Sequence, residues 1–315
     1  MSHFTKTWKL FLILLVLSLA ASISAQAQNI IYVRCGGYPQ VRSINEAVAL
    51  ATPGSTIAVC GVQGVYVENV DVNKDGLKFV NIFGTPILFC RNTSGSGFDF
   101  HANNGTIQGF YISKCSSGIS VEPSFGGEMI QSNTLTGNGN GVSLNSADGG
   151  NQITHNSISH NTNDGIFDYS PQGDTFSNND IRSNGANGIE VSSTTGGCTA
   201  PCATVTQNLS TLNSNDGLYL NNASKILITK NYLLQNNNDG LEANTSVHNR
   251  IGQNQVNKNG VFGIEMHSNT ANSLIDSNQM HNNVVHDGQD EGNPGPHNTW
   301  TNDDGDVCSP TTICT

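Results

Sequence analysis

Carboxylates recur along this chain at positions where a repeating fold would set them side by side. Two residues after a recurrent glycine the sequence reads Ser120, Ser143, Phe167, Glu190, Tyr219, Glu242 and Glu265, and just before that glycine stand Asp164, Asp216, Asp239 and Asp287. If successive repeats stack at strand spacing, Glu242 and Glu265 lie roughly 5 Å apart and Glu190 and Glu242 roughly 10 Å apart. Those separations bracket the retaining and inverting arrangements of glycosidase carboxylates. Like charges so close either raise one pKa, setting an acid beside a base, or gather a cation such as calcium. The candidate catalytic groups are therefore Asp168, Glu190, Glu242 and Glu265. Phe167 and Tyr219 can stack on sugar faces, and Asp164, Asp216 and Asp239 complete a candidate substrate-binding set.

Asp168 is the odd member of that group. It occupies a column otherwise filled by Val121, Leu144, Val191, Leu220 and Met266, where an unpaired carboxylate costs several kcal/mol. The expectation is a bulge that turns Asp168 outward and lets Tyr169 fill the vacated place. His155 and His160 could carry protons, although the column of His160 also holds Ser183, Leu212 and Gln235, as an ordinary surface position would. A plainer account of the acids is a solvated stripe, because Asn-x-Asn-Asp-Gly corners are common turn chemistry.

The elements that must position these residues show in two columns of asparagine. The first is Asn133, Asn156, Asn179, Asn208, Asn231, Asn254 and Asn278; the second, five residues behind, runs from Asn138 to Asn283 with the same steps of 23, 23, 29, 23, 23 and 24. One unit reads Ile153-Thr-His-Asn156-Ser-Ile158-Ser-His-Asn161-Thr-Asn-Asp164-Gly165-Ile166. It offers three short extended segments, each too brief for a helix and separated by Asn, Asp, Ser or Gly. A period of this length means a solenoid. Three strands per turn with like residues stacked predict an all-β, right-handed parallel β-helix of about ten coils. Asparagine suits its corners, since it tolerates left-handed backbone and its amide can bond the identical amide on the next coil. Phe110 and Cys115 extend the register one coil earlier.

The ends need covers, because an open solenoid exposes strand edges and core. Ser43-Ile44-Asn45-Glu46 is a capping-box sequence followed by apolar Ile44, Ala47, Val48 and Ala51 on one face, so a short N-terminal helix is expected as the lid. Trp300 is expected over the final coil. Residues 1–27 read as a secretory signal: Lys6 and Lys9 precede an apolar run from Leu10 to Ala21 that is too short to span a bilayer, and Ala25-Gln26-Ala27 resembles a cleavage site. The expected organisation is signal 1–27, strand and capping helix 28–53, β-helix 54–290, and cap or tail 291–315.

Loss of Lys6 and Lys9 takes the formal charge from −11 to −13, which argues against nucleic acid as a partner. No membrane insertion after signal cleavage is expected. Eight cysteines in an exported chain point to disulfides, with Cys35–Cys60, Cys90–Cys115, Cys198–Cys202 and Cys308–Cys314 the expected pairs. The absence of any Cys-x-x-Cys speaks against zinc, so no metal or other cofactor is expected beyond the calcium that the acidic row could gather.

The stretch Ser43-Ile-Asn-Glu-Ala-Val, then Pro53-Gly-Ser-Thr-Ile-Ala-Val59, then Gly64-Val-Tyr66-Val-Glu68-Asn-Val70, resembles the opening of secreted right-handed parallel β-helix proteins of the pectin-lyase-like class. The Asn-x-Ile-x-x-Asn coils from Ile107 onward resemble that class's repeat. The resemblance implies a secreted or periplasmic β-helix, and the class spans lyases, hydrolases, epimerases, adhesins and proteins without activity. The Asn-Thr-Asp and Gly-His-Gly elements of polygalacturonase-like hydrolases are absent here, Asp303-Asp304 lies in the tail, and the Asp-Pro-His-Asp of mannuronan epimerases is missing. The expectation is a monomer that contacts polysaccharide through its side surface in a binding or scaffold role. A polysaccharide lyase or glycoside hydrolase is the alternative, and a structural or adhesion protein the third.

Overall fold

Each corner asparagine joins three coils. In the computed structural model, which describes residues 29–37, 40–194, 198, 201–291 and 298–314, Asn156 Oδ1 accepts from both the backbone N–H (2.9 Å) and the Nδ2 (3.2 Å) of Asn133. Its own Nδ2 donates to Ile130 O at 2.9 Å and to Asn179 Oδ1 at 3.1 Å. The second column repeats the pattern at Asn138, Asn161 and Asn184. The residue before each asparagine takes the left-handed conformation, as His155 (φ 55°), Ser183 (φ 55°) and Lys230 (φ 59°) do. The corner is a left-handed kink followed by an amide whose hydrogen bonds are all met.

Between the corners run three parallel sheets, of 13, 11 and 11 strands. In the unit around Asn156 they receive Gln152–Thr154, Ser157–Ser159 and Ile166–Tyr169. Period-two alternation sends Ile153, Ile158 and Ile166 inward, all fully buried, and each contributes about 1.5–3 kcal/mol by leaving water. Toward the N-terminus the core turns aromatic, with Phe79, Phe98 and Phe110 packed edge to face at 5.0 and 5.3 Å between centroids. The result is a right-handed parallel β-helix.

It has about twelve turns rather than ten. The first sheet places eleven rungs from Ile30–Val33 to Leu274–Asp276 and a twelfth at Thr299–Thr301. The C-terminal stretch expected as a cap thus adds a final coil, whose Asp304–Gly305 and Cys308–Ser309 join the other two sheets. Trp300 pairs with Ile275 in the core column, and its Nε1 donates to Asp290 at 2.9 Å.

Both ladders end in an acid near this end, Asp303 in the final coil and Asp287 in the coil before it. Asn278 N and Nδ2 donate to Asp303 Oδ1, each at 2.8 Å, and Asn283 does the same to Asp287 Oδ1 at 3.1 and 2.8 Å. Asp287 therefore lies one position off the column of Asp164, Asp216 and Asp239, because the register pairs Phe262 with His286. The expected membership of Asp287 in that column is corrected.

At the other end, the helix Ile44–Leu50 buries Ile44, Ala47 and Val48. Ser43 Oγ accepts from Glu46 N at 3.1 Å, while Glu68 from the first coil accepts from Ile44 N (2.9 Å) and Asn45 N (3.0 Å). Lys74 Nζ donates to the carbonyls of Val48, Ala49 and Ala51 at 2.7–2.9 Å. Charges of the right sign thus hold both poles of the helix. All four expected disulfides are formed. Residues 1–28, on which the expected signal sequence falls, lie outside the described residues. Among those described, no helix is long and apolar enough to cross a membrane.

Asn156→Ala would leave the buried Asn133 N–H without its acceptor, at about 1–3 kcal/mol, and would also remove the side-chain bonds to Asn133 Nδ2, the Ile130 carbonyl and Asn179 Oδ1. Its thermal midpoint should fall by ten degrees or more while Asn163→Ala, at an exposed corner, changes little; equal, small shifts in a calorimetric scan would refute the ladder's role.

Candidate functional site

The outward face of the third sheet gathers most of the residues whose spacing pointed to chemistry. Strand pairing sets Asp71, Asp99, Ser120, Ser143, Phe167, Glu190, Tyr219, Glu242, Glu265 and Gln289 in one continuous row, one per coil. The expected row from Ser120 to Glu265 is thus a physical line, and it runs further at both ends. Two residues along each strand a second outward row follows, in which Asn145, Tyr169, Ser192, Asn221 and Asn244 are paired in register. Glu122 precedes these and His267 follows them at the equivalent positions. The floor is sheltered: Glu242 and Glu265 keep 16% and 9% of their side-chain surface.

Aromatic rings lie in mid-face. Phe167 and Tyr169 stack with centroids 6.5 Å apart and planes at 25°. Tyr169 is 43% exposed and does not fill a core site.

Asp168 points the other way, and the expected bulge does not form. Leu144, Asp168 and Val191 pair in unbroken register, and Asp168 is 1% exposed. Keeping the strand in register preserves its ladder hydrogen bonds on both sides, and the side chain must then enter the core. Burial, reinforced by the nearby Asp174 charge, pushes its pKa well above the usual carboxylate range, so it is held as a neutral acid. It is separated by the sheet from Glu190, Glu242 and Glu265 and cannot act with them.

Asp164, Asp216 and Asp239 are not solvated. They form a third corner ladder in which Asp164 Oδ1 accepts from Asn187 N (2.9 Å), Asp216 Oδ1 from Asp239 N (2.9 Å) and Asp239 Oδ1 from Phe262 N (2.7 Å). On the groove side Asp216 stands beside Glu242 and Asp239 beside Glu265. Burial raises Asp164 to about 6, Asp216 to about 7 and Asp239 to about 8; neighbouring carboxylates add to this, and the backbone N–H bonds partly oppose it. Glu265 is raised chiefly by burial as well. Like charges thus stand close together on the floor of the groove.

His267, which the sequence reading missed, closes this cluster. Its Nε2 lies 2.9 Å from Glu242 and 3.4 Å from Glu265, and its Nδ1 lies 3.1 Å from Glu291. Burial opposes its charge, but the surrounding carboxylates outweigh that and raise its pKa. Alternation alone could have found it, since it lies two residues beyond Glu265 on the same face. His155 and His160 are left-handed corner residues. A second histidine, His101, makes the counterpart near the other end with Asp71 at 3.0 Å, close to Asp99, which burial and Glu122 raise to about 6.

Ligand atoms of Glu242, Glu265 and His267, and of Asp216, Asp239 and Glu242, lie within 4.8 Å of one another. These are the residues that could hold a cation. Elsewhere, a cleft of about 470 Å³ opens at the corner between the first two sheets, lined by Lys230, Tyr232, Gln207, Gln253 and Gln255 among others.

Residues 149–303 match the family model described as a right handed beta helix region, and residues 43–199 match that described as periplasmic copper-binding protein (NosD). No curated protein matches the sequence. Among solved structures, the Azotobacter vinelandii mannuronan C-5 epimerase AlgE4 A-module is 14% identical, with a TM-score of 0.63 over 82% of this chain and 88% of that one. A variant of the periplasmic alginate epimerase AlgG is 13% identical (TM-score 0.60, 79% and 70% covered), and pectate lyase Pel9A 16% identical (TM-score 0.55, 91% and 81% covered). At these identities the likeness is one of fold.

Asp216, Asp239, Glu265 and His267 all have raised pKa values when folded, so the folded chain binds more protons than the unfolded chain. For the acids this holds from about pH 4 upward, and stability falls as pH rises toward about 8. The thermal midpoint should drop by several degrees between pH 5 and pH 8. Asp239→Asn keeps the acceptor for Phe262 N–H but cannot ionise, and should make that slope shallower; an unchanged slope would refute the raised pKa of Asp239.

Proposed function

We propose that this right-handed parallel β-helix protein of the pectin-lyase-like class binds a linear polysaccharide along the outward face of its third sheet. The observation that carries the reading is the unbroken row Phe167, Glu190, Tyr219, Glu242 and Glu265 at one residue per coil. A polymer laid along the axis meets a hydrogen-bonding or aromatic group at every step of about 4.8 Å. Phe167, Tyr169 and Tyr219 stack on sugar rings, while Glu190, held by Ser192 Oγ at 2.6 Å and Asn187 Nδ2 at 3.2 Å, is fixed to receive hydroxyls. That polysaccharide-acting enzymes share the fold supports this reading, as does the pairing of every cysteine, which suits a secreted or periplasmic protein.

Catalysis of glycosidic bond hydrolysis is the second reading, favoured by the closely packed carboxylates beside His267. Asp239, raised to about 8, would serve as the acid and Glu242 as the base. Copper does not fit these residues. Carboxylate oxygens dominate the set with a single imidazole, every cysteine is in a disulfide, and Met266 and Met280 lie in the core; such donors suit a hard cation instead.

On a glycan array followed by titration, Tyr219→Ala should weaken binding by roughly three- to tenfold, the worth of one aromatic stack. Binding indifferent to Tyr219 and Phe167 would remove the face from consideration. Release of reducing ends, abolished in Glu242→Gln, would establish the hydrolytic reading.

A further inference from the structure

We infer that the polymer held by this face is an amine-bearing one, an amino-sugar polysaccharide with free ammonium groups, and not a polyuronate. The inference rests on the binding role proposed above and concerns the charge of the ligand. Along the two outward rows stand Asp71, Asp99, Glu122, Glu190, Glu242, Glu265 and Glu291, and among the described residues no Lys or Arg shares those rows. The basic side chains of the repeats lie elsewhere. Lys114, Lys225, Lys230 and Lys258 take left-handed corner positions, Arg182 ends a second-sheet strand and Arg250 begins a first-sheet strand. A polyuronate here would set a carboxylate against a carboxylate at most of the coils.

An ammonium brings three donors and a charge opposite to that of the groove. Its spacing fits too, since a β-1,4-linked pyranose chain advances by about one coil per sugar. His101 and His267 stand seven coils apart, about 34 Å, with the Phe167–Tyr169 stack between them. The face therefore presents acidic clusters toward both ends and an aromatic platform between, on which six or seven sugars could lie.

Calorimetric titration of the intact protein at pH 5.5 with three hexasaccharides tests this: β-1,4-linked glucosamine, its fully N-acetylated form, and a uronate hexamer. The glucosamine hexamer should bind at least tenfold tighter than the acetylated one, and the uronate not measurably. Raising salt from about 0.05 to about 0.5 M should erase most of that preference. Glu190→Gln with Glu242→Gln should bring the first two ligands to near equality. Uronate binding equal to or tighter than glucosamine binding, lost in Tyr219→Ala, would overturn the charge assignment and leave the face as the site. Failure of all three, or binding unaffected by Tyr219→Ala, would instead overturn the binding role on which the inference rests. The wild-type comparison decides the matter even if a variant folds poorly.

Discussion

From Asn133 to Asn278, successive coils of this chain are tied together at their corners by amide oxygens that each accept both a backbone N–H and a side-chain Nδ2 from the coil before. Asn133, Asn156 and Asn179 show the unit of that contact. It fixes the corner, the corner fixes the strand register, and the register turns periodic text into straight rows of side chains. The groove of the third sheet is one of those rows. Without in-register stacking, Glu242 and Glu265 would have no reason to be neighbours.

The same constraint explains why acids of very different character coexist on one wall. Asp164, Asp216 and Asp239 serve the backbone with one oxygen and face the groove with the other, so corner chemistry and site chemistry share the same residues. Burial supplies the pKa shifts, and stacking supplies the partners. The unusually low content of Lys and Arg leaves these acids to be balanced by protons, by His267, or by whatever the groove receives.

Much of this was legible in the chain. The asparagine columns, the three strands per coil, the helical lid and the disulfide pairs each follow from a spacing that has one economical physical solution. The outward row was legible as well, because its members keep a fixed distance from a glycine. What escaped were features set by neighbouring coils. Asp168 looked too costly to bury, yet Leu144 and Val191 on either side hold its strand in place, and neutralising the carboxyl is the way that avoids breaking the ladder. His267 lay one alternation beyond the residues considered. The twelfth coil was hidden because it replaces the repeat's own markers, with Trp300 standing for isoleucine and Asp303 for asparagine.

That last replacement gives the solenoid a direction. An amide both accepts and donates, so a column of amides can be lengthened by whole repeats at any interior point. A carboxylate only accepts. Where Asp303 closes the first column, a second molecule stacked on that coil would find no side-chain donor with which to continue it. Repeat number is thus free to drift upstream of that acid, while the face it closes stays unsuited to growth into a fibre.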